Sequence, residues 1–569
     1  MTYTSRAVYE FIAKQTNDPI VQRKTCAVSG QEFALYQSDL DFYAKISPTF
    51  AGQKFAIPTP TLCPEERQRR RLLFRNERKL YKRKCDATGE NIISIYSPDK
   101  PYKVYKQDFW WSDKRDPMDY GRDFDFSRTF GEQFGEMMRE VPRYSLFSID
   151  CENCDYSNHI WYSKDCYLCF SSAYSESVMY SRWSIRNNNA IDLMYVENSN
   201  NSFECTKCHD CSFVFYSMFA NNCSHCIWVQ YCNGCSYCVW CFWLQNKSYC
   251  IENIQYSKEE YEQLIAKIDL QKYKNMEIIY PCLNNSSIDS SIWNELKNTK
   301  NVVFWFWLIN CSWCKYFYED MDVTDCYDSY WASNCEMSCE LLASPWNFQG
   351  FASMFVTHSK NIYHSQLCHA SSHLFGCIWL RNKQYCIFNK QYTKEEYEKT
   401  VAKIIAHMQE TGERGELFHP SLSPFGYNET VAQEYFPLDQ NTAHARWYKR
   451  QENNYDPVIP AWANVVDRKT GTAWPIDDEA IIKSIFVCEV SWRPYRIITQ
   501  ELAFYRKHKL PLPRKHPDVR HEERMKLRPW RTLYLRKCDK TWEEILSVYP
   551  PDYPGKVYSE KAYQEEIYS

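Results

Sequence analysis

The fold class expected from the chain is mainly β with short helices: a Cys-lined β-solenoid of two homologous halves, flanked by two ribbon-like α+β modules. Three observations lead there. First, Cys205–Cys241 reads CTKCHDCSFVFYSMFANNCSHCIWVQYCNGCSYCVWC, with cysteines recurring every third residue and short polar residues or aromatics between them. The same texture runs from Cys151 to Cys250 and, more diluted, from Cys311 to Cys386. A helix period of 3.6 and a strand alternation of 2 both fail on it, whereas short strands stacked through tight corners accommodate it. Second, the middle of the chain repeats itself at an offset of 136: YCVWCFWLQNKSYCIENIQYSKEEYEQLIAKI (237–268) matches HLFGCIWLRNKQYCIFNKQYTKEEYEKTVAKI (373–404), and SKDCYLCF (163–170) matches TKNVVFWF (299–306). Third, the two ends, at roughly 21–112 and 484–565, share the landmarks C-x-V-S, an FY pair, R-K-C-D-x-T and P-D-x-P-x-K-V-Y.

Taken in order, residues 1–20 read as a helical lead-in. Residues 21–150 form an N-terminal, degenerate zinc-ribbon-like module with a basic helix and an aromatic, acidic extension. Solenoid half 1 (151–270) and half 2 (271–409) each end in a helix opened by a capping box, Ser257 with Glu260 and Thr393 with Glu396. Such helices suit the exposed end of a strand stack, which needs covering. Residues 410–483 read as an irregular connector, and 484–569 as a second degenerate zinc-ribbon-like module.

Composition narrows the functional classes. The net charge is −3, so any attraction to polyanions must be local. The N-terminus lacks an apolar signal core, and the longest apolar run, Val302–Ile309, is too short to span a bilayer. A cytoplasmic location without membrane contact is the expectation, and there 28 cysteines would stay reduced. That leaves metal ligation or core packing for the thiols. The internal duplication separates the two. At the 136 offset Cys166 faces Val302, Cys169 faces Trp305, Cys226 faces Ile362 and Cys238 faces Leu374, while only Cys232/Cys368, Cys241/Cys377 and Cys250/Cys386 pair as cysteine with cysteine. A metal ligand does not exchange with Val or Leu, but a small buried hydrophobe does, so packing is the expected role.

In the end modules, Cys26-x-x-Ser29 and Cys85-x-x-Thr88 look like zinc knuckles with one ligand replaced. Structural zinc takes four Cys or His ligands. The N-terminal module offers Cys26, Cys63 and Cys85, giving at most one zinc with an unnamed fourth ligand; the C-terminal copy keeps only Cys488 and Cys538.

Two basic stretches are the candidate binding residues. Residues 65–84 carry ten Arg or Lys (Arg67, Arg69, Arg70, Arg71, Arg75, Arg78, Lys79, Lys82, Arg83, Lys84) against three Glu. Residues 506–537 carry twelve against three acids, and Arg514, Lys515, Arg520, Arg524, Lys526, Arg528 and Arg531 are the candidates there. Clustered Arg beside aromatics suits an RNA backbone and unstacked bases; a solvated helix face balanced by nearby acids, such as those of 113–126, is the other reading. No P-loop, G-x-G-x-x-G, G-x-S-x-G or H-E-x-x-H is present, so no catalytic residue and no small-molecule substrate are inferred. His159, His209 and His225 read as wall residues of the solenoid.

Glycine and tryptophan are out of balance. Gly is 14 of 569 residues, about a third of the usual share, and Trp is 20. At paired positions Gly30 faces Trp492, Gly89 faces Trp542 and Gly376 faces Trp240. Glycine suits such corners because it tolerates positive φ; tryptophan does not. Both anomalies follow if the source organism reads UGA as glycine and those codons are written here as tryptophan. Trp side chains stacked along the wall are the alternative. The first reading predicts strain at Trp492 and Trp542, as positive φ or a crowded side chain.

The phrases PTPTLCPEERQRRRLLFRNERKLYKRKCD, ISIYSPDKPYKVYKQDFWWSDKRDPMDYGRDFDFSR, LRNKQYCIFNKQYTKEEYE, SLSPFGYNETVAQEYFPL and ELAFYRKHKLPLPRKHPDVRH resemble an uncharacterised zinc-ribbon/Cys-rich repeat family of small-genome uncultured bacteria, over nearly the whole chain. The resemblance implies a zinc-ribbon origin for the end modules, from which this chain departs at Ser29, Glu66, Thr88, Asp108, Thr541, Ser559 and Ala562. It also implies glycine where Trp243, Trp379, Trp492 and Trp542 stand. Some members carry a CaiB/BaiF name, which implies a CoA-transferase; nothing in these residues supports that activity. The leading expectation is a non-enzymatic binding scaffold whose end modules contact RNA or a ribonucleoprotein. A protein-interaction or structural scaffold using the aromatic solenoid wall is second, and a β-helix enzyme third.

Overall fold

A computed structural model describes residues 3–268, 282–283, 324–330, 334–453, 455, 458–467, 477–527 and 531–568. The pairings of Cys166 with Val302 and Cys169 with Trp305, the run Val302–Ile309 and the candidate Arg528 lie outside the described residues. Two compact units emerge. Unit 1 comprises Met1–Ser145, Ile279–Gln451 and Pro529–Ser569; unit 2 comprises Leu146–Ile278 and Glu452–Arg528. Each unit holds one β-solenoid stack and one of the basic helices, Pro64–Leu72 in unit 1 and Pro517–Lys526 in unit 2. The division cuts the C-terminal module: its hairpin Ile485–Val487/Pro494–Tyr495 belongs to unit 2, and its hairpin Tyr534–Lys537/Glu544–Ser547 to unit 1.

The solenoid repeats every 12 residues, with parallel partners such as Asn158↔Phe170, Ser212↔Ser224 and Lys360↔Ser372. Every third residue is a left-handed corner. The run His159, Tyr162, Asp165, Leu168 and Ser171 has φ between 46° and 53°, so a coil has four three-residue sides. Such corners cost an L-residue about 1–2 kcal/mol each in isolation. Here each corner N–H stays inside the ladder, bonding the previous coil: Tyr162 to the Ile149 carbonyl at 2.9 Å, Asp165 to Glu152 at 2.9 Å. Corner donors paired in this way are not orphaned, and glycine is not required at them.

The residue after each corner points inward. In unit 2 these positions are Ile160, Cys166, Cys169, Val178, Ala190, Leu193, Cys205 and their successors, all buried in one cluster. Small polar residues there close the coil: Ser157 Oγ donates to the Asp155 carbonyl at 3.2 Å and accepts from the Cys169 N–H at 3.0 Å. Cysteine does the weaker half of this. Cys223 Sγ donates to the carbonyls of Asn221 at 3.2 Å and Cys232 at 3.5 Å. Cys226 and Ile362 both occupy buried inward positions, as do Cys238 and Leu374, which is the exchange expected of packing residues.

Both stacks end alike. Asn253 bonds the Phe242 N–H and carbonyl, and Asn389 the Ile378 N–H and carbonyl. A short antiparallel turn follows. The two capping-box helices then begin at Ser257 and Thr393. Tyr261 meets Tyr249 edge-on at 5.7 Å, and Tyr397 meets Tyr385 at 5.8 Å, so each helix covers the last coil of its stack.

The end modules are folded copies. Cys26 N–H bonds the Gln31 carbonyl and Gly30 N–H the Cys26 carbonyl; Cys488 repeats this with Arg493 and Trp492. The second hairpins do the same, Cys85 with Glu90 and Gly89, Cys538 with Glu543 and Trp542. Gly30 and Gly89 sit at φ 70° and 74°, Trp492 and Trp542 at 62° and 63°, as the glycine reading of those positions predicts.

Candidate functional site

The helix Pro64–Leu72 starts with Pro at its first turn and acids Glu65 and Glu66 near the positive end of the helix dipole. Its arginines then point into protein, not solvent. Arg67, Arg69, Arg70, Arg71 and Arg75 are 0–6 % exposed. Arg67 and Arg71 both bind the Asp328 carboxylate, which stands on a solenoid corner at φ 48°. Arg71 also bonds Glu340 at 2.8 Å; Arg70 bonds Glu416 at 2.5 Å; Arg69 bonds Glu66 at 2.6 Å; Arg75 bonds Glu77 at 2.6 Å. The Tyr43 hydroxyl accepts from Arg67 at 3.4 Å. Burial raises the Asp328 carboxyl to about 6, against the downward pull of the two guanidiniums.

Unit 2 repeats the arrangement. Arg520 and Arg524 of the second basic helix both bind Asp192, which lies 136 residues before Asp328 and occupies a corner at φ 60°. The spacing between the two arginines is four residues in each copy, which puts them on one helix face. Tyr505 takes the place of Tyr43, its hydroxyl accepting from Arg520 at 3.2 Å. Glu501 stands where Asp39 stands in unit 1, accepting from the Tyr180 and Tyr505 hydroxyls at 2.7 and 3.0 Å; burial pushes its carboxyl up.

The binding residues expected from sequence are therefore divided. Arg67, Arg69, Arg70, Arg71, Arg75, Arg520 and Arg524 are buried against carboxylates, facing the protein interior. Arg78, Arg83, Lys515 and Arg531 are half-buried; Arg83 pairs with Asp86, Lys515 with Glu523, and Arg531 lies over the Tyr435 ring. Lys79, Lys82, Lys84, Arg514 and Lys526 are exposed. The positive charge is plain in the sequence, but the acids that meet it have three sources: solenoid corners far along the chain, Asp328 and Glu340 in unit 1 and Asp192 in unit 2; the basic stretch itself, Glu66 and Glu77; and Glu416 beyond the stack.

The candidate metal ligands are not gathered either. The Cys26 and Cys63 thiols hydrogen-bond each other, with Ser29 beside them at 3.8 Å from Cys63, and this contact lowers Cys26 to about 5. Cys85 sits in the second hairpin, where its sulfur accepts the Lys106 N–H at 3.3 Å. Glu66, at the fourth knuckle position, is held by Tyr3, Arg69 and Arg446. Two thiols at one knuckle do not fit a four-ligand zinc. Among the described residues no group of three or more Cys, His, Asp or Glu is disposed to hold a metal ion.

One surface that sequence reading did not resolve is the corner column of the unit 2 stack. Phe213, His225, Tyr237 and Tyr249 follow one another by 12 residues, their rings stacked at 4.9, 4.7 and 5.2 Å and within 16° of parallel. His225 and Tyr237 are exposed. Beside them runs a column of serines, Ser212, Ser224, Ser236 and Ser248, with Ser236 and Ser248 hydroxyls 2.7 Å apart. Two further columns, Tyr216–Trp228 at 4.6 Å and Phe219–Tyr231 at 4.5 Å, flank other corners. The 12-residue spacing of aromatics is readable in sequence once the coil length is known.

No family model, no curated protein and no solved structure matches the chain. Among the described residues, no helix is long and apolar enough to cross a membrane.

Proposed function

We propose that the chain is a non-enzymatic structural scaffold that docks a second copy of itself through the aromatic corner column of the unit 2 stack. The observation that carries this is the column Phe213–His225–Tyr237–Tyr249, whose ring spacing of 4.7–5.2 Å matches the 4.7–4.9 Å separation of β-strands. A partner that meets every ring in turn must repeat at that spacing, which a stack of strands does. This chain carries such stacks in both units, and the corresponding column in unit 1 holds His373 and Tyr385 at 4.7 Å. The column and its serine neighbour bear no acidic or permanently basic side chain, so two copies do not repel. Rows of exposed aromatics are a feature of interaction surfaces more than of isolated monomers.

The RNA reading loses its main support because the seven central arginines are internal ion-pair partners. Light scattering across a concentration series tests the proposal: the expected result is a concentration-dependent rise in mass that His225→Asp combined with Tyr237→Asp abolishes while leaving the fold intact. A monodisperse monomer at all concentrations refutes it. So does filter binding that shows salt-sensitive RNA affinity with the mass unchanged.

A further inference from the structure

Among the cysteines whose side chains the structure describes, all are reduced and every one is buried except Cys151 and Cys154. Their place in the fold explains this. Both are inward positions of the first coil of the unit 2 stack: strand Ser148–Ile149 pairs forward onto Asn158–Trp161, so within that stack a coil packs on one side of them only. The thiols hydrogen-bond each other, and Cys154 also contacts Cys166 one coil on. Each sulfur otherwise makes only weak bonds to carbonyls, Cys151 to Ile149 at 3.3 Å and Cys154 to Glu152 and Ser163 at 3.3 Å. The same C-x-x-C spacing recurs at Cys205/Cys208, Cys223/Cys226 and Cys235/Cys238, where the side chains are 0–1 % exposed. Chemistry, spacing and contact are shared; access distinguishes the first pair.

We infer that Cys151 and Cys154 form a redox-active dithiol that exchanges with low-molecular-weight disulfides. Cys154 is the attacking sulfur. Its bond to the Glu152 carbonyl lies exposed, whereas that of Cys151 to Ile149 is part-buried; the Cys151 and Cys166 thiols both hydrogen-bond to Cys154 and lower it, while the same contact raises Cys151. The thiolate, not the thiol, is the nucleophile. In the first step the Cys154 thiolate, its proton already given to solvent, bonds one sulfur of the external disulfide, whose S–S bond breaks and whose other half leaves as a thiolate that is protonated from solvent. In the second, Cys151 Sγ attacks Cys154 Sγ, expels the remaining half and gives its proton to it. Two protein thiols are oxidised to one disulfide, and one external disulfide is reduced to two thiols. The buried ladder behind Cys154 is screened from this reaction by the coils over it.

Oxidised glutathione is the probe. The native full chain is equilibrated with it, quenched with acid, alkylated and mapped by mass spectrometry. The expected result is a loss of two hydrogens confined to the peptide carrying Cys151 and Cys154, reversed by reduced glutathione, with the buried cysteines alkylated only after unfolding. Cys151→Ser is expected to retain one glutathione on Cys154, at least tenfold more than Cys154→Ser retains on Cys151. Equal labelling of the two variants overturns the assignment of the attacking sulfur. No oxidation, oxidation spread through the ladder, or a Cys154–Cys166 disulfide each overturns the proposal.

Discussion

Replacing Asp328 with Asn tests whether the basic helices are internal struts. The carboxylate holds two guanidiniums, Arg67 and Arg71, at full burial. Removing one partner of a buried ion pair costs about 3–5 kcal/mol because the other charge stays behind in low dielectric. Arg71 keeps Glu340 at 2.8 Å and Gln68 at 3.0 Å, and the new amide oxygen still accepts one bond. The loss therefore falls mainly on Arg67, and the low end of that range, about 3 kcal/mol, is expected. The readout is amide hydrogen exchange of helix Pro64–Leu72: about 3 kcal/mol speeds exchange through local opening by on the order of a hundredfold. Helix Pro517–Lys526 is the internal control and is expected to keep its protection, whereas Asp192→Asn should do the reverse. Adding Arg67→Met to Asp328→Asn removes the stranded charge and should recover much of the protection. An exchange rate in Pro64–Leu72 changed less than threefold by Asp328→Asn would refute the argument, as would equal loosening of both helices.

Further outcomes follow from other sites. His364 lies among Phe130, Phe351, Phe375 and Phe418, and burial lowers it to about 3. The folded state therefore keeps it neutral while the unfolded chain takes up a proton below about 6.5, so its contribution is full above that pH and is lost as pH falls toward 3. At pH 5 the loss is about 2 kcal/mol, and His364→Leu should flatten the pH dependence of urea unfolding; an unchanged slope contradicts the burial argument. Cys226→Val copies the apolar choice made at Ile362 and is expected to cost about 1 kcal/mol or less in the same assay, with more than 3 kcal/mol pointing to a role beyond packing. Trp492→Gly and Trp542→Gly remove a side chain from a left-handed corner and should each stabilise by up to about 1 kcal/mol; loss of stability would show that the indoles are native packing residues.

Much of the architecture was legible because the solenoid writes its inward positions into sequence as a three-residue comb. Cys205, Cys208 and Cys211 are consecutive inward residues, and so are Cys232, Cys235, Cys238 and Cys241. The capping boxes at Ser257 and Thr393 were legible for a local reason, since three residues suffice to define them. The site was not. A run such as Arg67–Arg71 advertises charge, but burial is decided by the partner, and Asp328 and Asp192 look like any corner residue until the coil is wound. What the sequence did hold, unread, was the coincidence of two duplications. The offset of 136 that relates the solenoid halves also relates the two aspartates, while the spacing of four relates both arginine pairs.

The glycine argument needs the structure to separate two kinds of corner. Inside the stacks, left-handed φ is the rule, and Tyr, Asn, Asp and His fill it because each corner N–H is held by the neighbouring coil. Positive φ at Trp240, Trp243 or Trp379 therefore says nothing about what the native residue is. Outside the stacks no such ladder exists. Among the described residues there, six non-glycine residues have positive φ: Asn17, Ala51, Trp447, Trp492, Lys509 and Trp542. Three of the six are tryptophan. Trp492 and Trp542 stand where the paired module has Gly30 and Gly89, and an added Cβ at either glycine meets nothing within 4 Å. Trp447 ends the helix Gln440–Ala445, with Tyr448 N–H returning to the Ala443 carbonyl, the closure that glycine most often makes at a helix C-terminus. It is 92 % exposed, so no packing repays the backbone conformation there. A bulky residue at φ above zero is an outlier unless its surroundings demand it, and at Trp447 they do not. That position, absent from the internal alignments, joins Trp492 and Trp542 as one where glycine is the residue the backbone was built for.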